Sequence, residues 1–575
     1  MSTNRLSSSL SRPVARFAVA AVLSIAGPSV LPAAEAVVAP TGANPARPSS
    51  LGAVAFANSG SPRVQEHFLR GLAALHSFWY EEAIVQFQAA TALEPDFAMG
   101  YWGEALSYNH SLWGRQDQEF ARKTLAKIKD TSHLTARERA YIEAARILYG
   151  EGDKLTRDIA YSKALGKIHA DYPDDLDAAA FHALSILGTV RPGDKGYERQ
   201  LKAAAIAEEV ARRNPLHPGA THYIIHAYDH PDYAARGLSA ARHYAEIAPE
   251  AFHAQHMPAH IFVQLGMWNE SDRSNSNAWR VSDEWVARKR LPLGLRDYHS
   301  YHWLVYTRLQ EGRYREATEL LETVRRVIAE NGPDSVNFYD QISAIYVVET
   351  EQWNRAGELL QRPALTGTPR VAPVLSEVCG GQSTLRRDTQ QNNTELPVVI
   401  RAYAATAAGE AEAGRLRDAA RAVAVEPGDA YGQAVLKIRL LQIDGLKLAA
   451  RNDFDAALAA LAEAASLEAA TAKPSGPPRL IKPSHELYGE ILLRAGRPAE
   501  AVHQFEIALG RQPGRAHALL GLARAKARAG DLAGAGTAYT AFLDKWQGAD
   551  RDRPELTEAR AFLQAHGAAV ALAGN

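Results

Sequence analysis

The chain has 575 residues and a formal net charge of −1 at neutral pH, from 64 Lys and Arg against 65 Asp and Glu. This balance argues against a nucleic-acid partner, which needs a basic surface, and against membrane binding through a polybasic patch. Its single cysteine, Cys379, excludes an intramolecular disulfide and any metal site built from several cysteines. A metal ion would therefore need histidine or carboxylate ligands.

The N-terminus has the pattern of an export signal. Three arginines precede an apolar run over residues 17–27, and residues 34–36 match a small-residue cleavage site. The run is too short to cross a bilayer, so we predict a signal peptide over residues 1–36 that leaves no transmembrane segment once removed. Residues 37–60, rich in Ala, Pro, Gly and Ser, are expected to form a disordered linker. The protein is thus expected to be exported, to the periplasm or beyond the cell.

Two distant segments share one spacing of small, aromatic and proline residues. In both, the later four residues follow the glycine by 12, 16, 19 and 24 positions. The two sets are Gly71, Ala83, Phe87, Ala90 and Pro95, and Gly489, Ala501, Phe505, Ala508 and Pro513. The spacing resembles that of the tetratricopeptide repeat (TPR), a helix–turn–helix unit of 34 residues. The resemblance implies an all-α, TPR-type α-solenoid in which the glycine lets helices approach and the phenylalanine fills the core.

The same frame divides the rest of the chain. We predict an N-terminal TPR-like array over residues 61–361, with a histidine-rich groove, and a loop or insertion over residues 362–396. A C-terminal TPR array is predicted over residues 397–565, followed by a tail over residues 566–575. Stacked repeats of this kind leave a long concave surface, which is where a ligand is expected.

Histidines are concentrated in one part of the chain, with ten of the 20 lying between residues 217 and 302. His222 and His226 are four residues apart, and His256 and His260 repeat that pair 34 residues later. Residues four apart share one face of a helix, so both pairs are expected to line the groove. His253 and His299, at the second position of their helices, are also expected to face it.

A metal site is the more specific interpretation of this pattern. Two helical histidines four residues apart can bind one ion, and nitrogen-rich ligation suits divalent Zn, Cu, Fe or Ni. The predicted ligands are His222, His226, His256, His260 and His302, with Asp229 fixing one ring through a hydrogen bond. Pro258 lies between His256 and His260 and could turn His256 away. The alternative is a polar, hydrated groove whose histidines bind backbone or peptide.

Two further groups are candidates for the groove. Trp102, His110 and Tyr306 are expected to contact a small ligand, or else to be ordinary packing residues. Glu486 and Glu490 repeat the four-residue spacing and are candidate general bases, provided that the solenoid brings them to the histidines. Their alternative role is a solvated acidic face or a site for a basic peptide.

The histidine segments HPGATHYIIH (217–226) and HMPAHIF (256–262) resemble those of a group of exported bacterial TPR proteins. This resemblance implies the architecture and no particular activity. Three functions stay open. The first is a cell-envelope binding or scaffold protein that holds a peptide, protein or small molecule in its groove. The second is a metal-dependent enzyme, hydrolytic or oxidative, and the third is periplasmic metal storage or delivery.

Overall fold

A computed structural model gives the fold of the protein. The residues that it describes are 49–573, except 192, 193, 195, 367–394 and 426–428. The predicted signal peptide, Cys379 and most of the predicted insertion lie outside the described residues. None of the helices in the described part combines the length and apolar character needed to cross a membrane.

Helices dominate the described residues, and each packs on its neighbours in sequence, which confirms the predicted all-α, TPR-type fold. The α-helices span Gln65–His76, Tyr80–Leu93, Ala98–Leu106, Gln118–Leu125, Ala136–Leu148, Lys154–Asp171, Leu176–Leu187, Glu198–Arg213, Pro218–Tyr228, Ala234–Ile247, Phe252–His256, Pro258–Gln264, Trp268–Lys289, Tyr298–Gln310, Tyr314–Asn331, Tyr339–Thr350, Ala356–Leu359, Glu395–Ala408, Ala413–Arg421, Ala430–Ala450, Phe454–Ala469, Ser484–Arg494, Pro498–Arg511, Ala516–Arg528, Leu532–Lys545 and Pro554–Ala573. Short 3-10 helices span Ser111–Trp113, Leu293–Leu295, Pro333–Ser335 and Trp353–Arg355. A small antiparallel sheet pairs Asn109–His110 with Arg115–Gln116.

A phenylalanine between two glycines explains how the first helices pack. Phe87 is fully buried, and its ring lies against Gly71 on the preceding helix and Gly103 on the following helix. A Cβ atom on Gly71 would lie 3.0 Å from that ring, and one on Gly103 would lie 2.4 Å from it. Any larger residue at these two glycines would therefore push the helices apart.

The same arrangement recurs near the C-terminus. Phe505 is fully buried between Gly489 and Gly521, where added Cβ atoms would lie 2.8 and 2.3 Å from its ring. The predicted roles of the repeat glycine and phenylalanine therefore hold at both ends of the described chain.

The segment before the first helix is part of the core. Leu51 and Phe56 are almost completely buried, and the backbone N–H of Ala53 donates to the carbonyl of Leu216 over 2.8 Å. The predicted disorder of the linker is thus wrong for residues 49–60, because their apolar side chains have a surface to cover.

Contacts between distant helices join the two predicted arrays. The indole N–H of Trp268 donates to the carbonyl of Gly514, and that of Trp546 donates to the carbonyl of Gln310, each over 2.9 Å. One core cluster accordingly contains residues from both arrays. The predicted tail is helical over most of its length, because the helix Pro554–Ala573 runs past residue 565.

Candidate metal site

The first histidine pair lies on the helix Pro218–Tyr228. The ring Nδ1 of His217 caps this helix by accepting the N–H of Ala220 over 3.2 Å, and a proline occupies the first helical position. Proline is well placed there, since that N–H has no helical partner. His222 and His226 follow one turn apart, and their Nε2 atoms lie 3.1 Å from each other.

The second pair spans a break between the helices Phe252–His256 and Pro258–Gln264. Met257 joins them in a right-handed helical conformation (φ −54°, ψ −35°), so the chain continues in almost the same direction. The proline between the two histidines therefore does not turn them apart. The Nε2 atoms of His256 and His260 lie 3.1 Å from each other, as in the first pair.

One further histidine completes a triad with each pair. In each triad, one ring nitrogen from every member lies within 4.8 Å of the other two. We call His222, His226 and His253 the first triad, and His256, His260 and His299 the second triad. Both added residues were expected to face the groove, but neither was among the predicted ligands. Their position in the first turn of a helix was the only signal in the sequence.

In the first triad, a hydrogen bond fixes the proton position of one ring, that of His222. The Nδ1 atom of His222 lies 2.7 Å from the carbonyl oxygen of His76, which can only accept, so Nδ1 carries the proton. The Nε2 atom of His222 is then unprotonated and faces His226. The Nε2 atom of His253 is buried and has no hydrogen-bond partner among the described residues.

In the second triad, hydrogen bonds from Nδ1 orient two rings in the same way. The Nδ1–H of His256 donates to the side-chain oxygen of Asn275 over 2.7 Å, while the amide nitrogen of Asn275 donates to the carbonyl of Ser271. The Nδ1–H of His260 donates to a carboxylate oxygen of Asp229 over 2.6 Å. When both rings are neutral, two unprotonated Nε2 atoms thus face each other over 3.1 Å, which no hydrogen bond explains. A cation between them would turn this repulsion into attraction.

Aromatic rings pack closely against both triads. The centroid of Phe78 lies 4.3 Å from that of His222, and the centroid of Trp303 lies 4.4 Å from that of His260. These rings keep water from the buried side of the histidines. Such a low-dielectric environment strengthens electrostatic interactions within the site.

Burial favours the neutral form of five of the six histidines. It lowers the pKa of His222 and of His299 to about 3, because an imidazolium loses its hydration in the protein interior. Burial, and then the neighbouring histidines, hold the pKa values of His226, His253 and His256 well below the ordinary value. Neutral imidazole is the form that binds a metal ion.

The structure places His302 outside both triads. Its ring stacks on Phe338 with centroids 5.8 Å apart, whereas the ring of His299 lies 4.7 Å from that of His256. Both residues belong to the helix Tyr298–Gln310, but three positions along a helix rotate a side chain to a neighbouring face. His299, in the first helical turn, therefore takes the position expected of His302.

The residues predicted to contact a groove ligand are mostly core residues. Trp102 is 1% exposed and packs edge-on against Tyr141, and Tyr306 is also 1% exposed. His110 stacks on Tyr80 with ring centroids 4.0 Å apart. Packing therefore accounts for Trp102 and Tyr306, and the structure does not place them on an open wall.

The two glutamates predicted as bases form ion pairs. Glu486 accepts from the guanidinium of Arg515 over 2.5 Å, and Glu490 accepts from Lys482 over 2.6 Å. Although burial raises it, the pKa of Glu486 is held well below its usual range by the charges of Arg515 and Lys482. A carboxylate held in this way is a weak proton acceptor, which argues against the predicted role of Glu486 as a general base.

A third cluster differs from the two triads. The Nε2–H of His76 donates to Asp177 over 2.9 Å, and its Nδ1 lies 2.9 Å from the hydroxyl of Tyr223, which can donate to it. His217 points Nε2 at the same carboxylate oxygen over 3.4 Å and uses Nδ1 to cap its helix. Both rings thus turn a nitrogen to one oxygen of Asp177, while its other oxygen is buried without a hydrogen-bond partner among the described residues.

Comparison with known proteins identifies the repeats. Residues 489–550 match the tetratricopeptide repeat family. This segment therefore contains tetratricopeptide repeats, as predicted for the C-terminal array, and folds of this class offer extended surfaces to protein and peptide partners.

Solved structures of similar helical proteins cover much of the chain at low identity. Yeast Tom70 is 14% identical, with 88% of this chain and 96% of that chain covered and a TM-score of 0.29. The human IFIT1 dimer with m7Gppp-AAAA is 12% identical, with 86% and 91% covered and a TM-score of 0.32. No curated protein matches the sequence. Because these scores are low, the function has to be argued from the site.

Proposed function

We propose that this TPR protein binds a divalent transition-metal ion through its histidine triads. The observation that carries the proposal is the 3.1 Å approach of the Nε2 atoms of His256 and His260, two rings whose Nδ1–H groups both donate to oxygen. Metal–nitrogen bonds of about 2.0–2.1 Å would place these two atoms at an angle of about 100° around one ion. That angle lies between the tetrahedral and octahedral values, and His299 would supply a third nitrogen.

The surroundings of the rings support this proposal. Histidines that bind metal commonly donate their other N–H to a carboxylate or carbonyl, which fixes the ring and increases its basicity. His222, His256 and His260 each donate in this way, to a backbone carbonyl, an amide oxygen and a carboxylate. All-nitrogen ligation from neutral imidazole suits Zn, Cu, Fe or Ni rather than Mg or Ca.

We further propose that the protein acts in the cell envelope as a metal-binding protein whose repeats hold a protein or peptide partner. The export pattern over residues 1–36 supports the periplasm as its location, and the repeats supply the surface for a partner. Binding is favoured over hydrolysis by Glu486, because its ion pair with Arg515 makes this carboxylate a weak base.

The test is the metal content of the protein as exported. The untagged chain is expressed with its own N-terminus in a Gram-negative host, recovered from the periplasmic fraction and measured by elemental mass spectrometry. We expect a near-stoichiometric transition metal that is strongly reduced in the double variant His256→Gln/His260→Gln. His243→Gln is the matched control, since that ring is exposed and donates only to the carbonyl of Ser239.

Two results would refute parts of this proposal. Protein that takes up none of Zn, Cu, Fe or Ni in the periplasm or after reconstitution contradicts metal binding. Recovery of the chain in the cytoplasm alone, with residues 1–36 retained, contradicts export.

A further inference from the structure

We infer that the two triads form one dinuclear centre, in which two metal ions share a small bridging oxygen ligand such as hydroxide. This inference rests on the proposed metal binding and specifies the number of ions and the class of ligand that they bind.

The two triads are as close to each other as their own members are. Ring centroids of His226 and His260, from different triads, lie 5.7 Å apart, and those of His253 and His256 lie 6.0 Å apart. Within the triads the spacings are similar, for example 4.8 Å between His222 and His226. Two ions bound by these rings would therefore be neighbours, which is the arrangement of two-metal sites.

Each triad offers three nitrogen ligands to its ion. Three protein ligands leave at least one coordination position of a transition metal free for water or another small ligand. When two such ions are neighbours, one ligand can occupy a position on both. The structure thus provides two incomplete coordination shells beside each other.

Electrostatics determines the charge of that ligand. Six neutral imidazoles do not offset the charge of two divalent ions, and Asp229, which holds His260, contributes one negative charge nearby. Two cations a few ångströms apart in a low-dielectric interior repel strongly. An anionic oxygen between them reduces this repulsion, and a bound cation lowers the pKa of water enough to form hydroxide near neutral pH.

Access to solvent is consistent with a small ligand. His226 and His299, one from each triad, are partly exposed, whereas the other four histidines are buried. Phe78 and Trp303 pack against the buried members of the triads. Each triad therefore has one member in contact with solvent and two that are buried, which favours a ligand of few atoms.

The test combines copper stoichiometry with electron paramagnetic resonance of the full-length mature protein loaded with Cu²⁺. We expect two copper ions per chain and a spin count well below the copper content, because two Cu²⁺ ions bridged by hydroxide couple antiferromagnetically. His253→Gln and His299→Gln each disable one triad, so we expect one copper and a full spin count for each. Circular dichroism of both variants verifies their fold.

The outcomes separate this inference from the proposed function. A wild-type protein that binds a single copper ion, or two ions with a full spin count, overturns the dinuclear centre and leaves metal binding intact. A wild-type protein that binds neither copper nor another transition metal overturns both. The wild-type measurements decide this even when a variant does not fold.

Discussion

The Nε2 atoms of His256 and His260 lie 3.1 Å apart while the Nδ1 atoms of both rings donate to oxygen. The hydrogen bonds to Asn275 and Asp229 thereby fix which nitrogen of each ring carries the proton. The cluster around Asp177 shows the opposite case, because there every ring nitrogen that is fixed faces a group of complementary character. This difference favours a metal ion in the triads over one beside Asp177.

Removing the carboxylate that holds His260 is expected to weaken metal binding. In Asp229→Asn the acceptor loses its charge, so the ring is less basic and less firmly oriented. We expect a 10–100-fold increase in the dissociation constant, the range typical of such partners. Competition with a chromophoric chelator measures it. Asp232→Asn is the control, because Asp232 pairs with Lys473 on the surface, and an equal effect of both variants would contradict the role of Asp229.

Gly476 connects the C-terminal part of the chain to the second triad. Its φ is +146°, and a Cβ atom added there would lie 2.2 Å from the indole of Trp303, which packs on His260. Gly476→Ala is expected to destabilise the protein by about 1–3 kcal/mol more than the same substitution at a glycine without neighbours, because the indole of Trp303 has to move. Thermal unfolding measures this, and the metal affinity is expected to fall with it.

Gly496→Ala is the matched control for that substitution. Gly496 also has a positive φ, of +74°, but no atom lies within 4 Å of its Cβ position. Gly496→Ala is expected to cost only the strain of an alanine in the left-handed backbone region, about 1–2 kcal/mol. Equal destabilisation by the two variants would show that the contact with Trp303 does not affect stability.

Arg515 joins two buried carboxylates from distant parts of the chain. It is 1% exposed, and its guanidinium lies 2.7 Å from Glu349 and 2.5 Å from Glu486. Arg515→Met leaves both acids without their shared cation, and we expect a loss of about 3–5 kcal/mol in the free energy of unfolding. Denaturant titration measures it. Arg497→Met is the control, because Arg497 forms an exposed ion pair with Glu500. An effect of Arg515→Met as small as that of Arg497→Met would contradict this prediction.

The same ion pair predicts an acid-sensitive contribution to stability. The pKa of Glu486 in the folded protein lies well below its ordinary value, which in an unfolded chain is about 4.3. Its stabilisation is therefore fully present above that value and is lost as the pH falls towards the folded pKa. Between about pH 5 and pH 3, the free energy of unfolding should fall more steeply for the wild type than for Glu486→Gln. Parallel slopes would contradict the prediction.

The repeat architecture could be predicted because its signal is local. The spacing from Gly71 to Phe87 lies within one helix pair, and the structure shows both residues in their predicted roles. The histidine pairs could be located for the same reason, since residues four apart share a helix face whatever surrounds them.

The features that could not be predicted from the sequence are contacts between helices that are distant in the chain. Choosing His299 over His302 requires the angle at which their helix faces the helix of His256, which periodicity does not contain. The cation beside Glu486 is at residue 515, immediately before the helix Ala516–Arg528, and this contact turns a candidate base into an ion-pair partner. Such contacts between separate helices are a property of the packed solenoid.

The most direct test of the central claim is X-ray absorption at the edge of the metal bound to the purified protein. We predict a first shell of nitrogen or oxygen atoms at about 2.0–2.1 Å, with the outer-shell scattering of about three imidazoles per ion. That imidazole scattering should decrease in His256→Gln/His260→Gln and persist in His243→Gln. A bound metal whose spectrum lacks imidazole scattering would contradict the assignment of the two triads as its ligands.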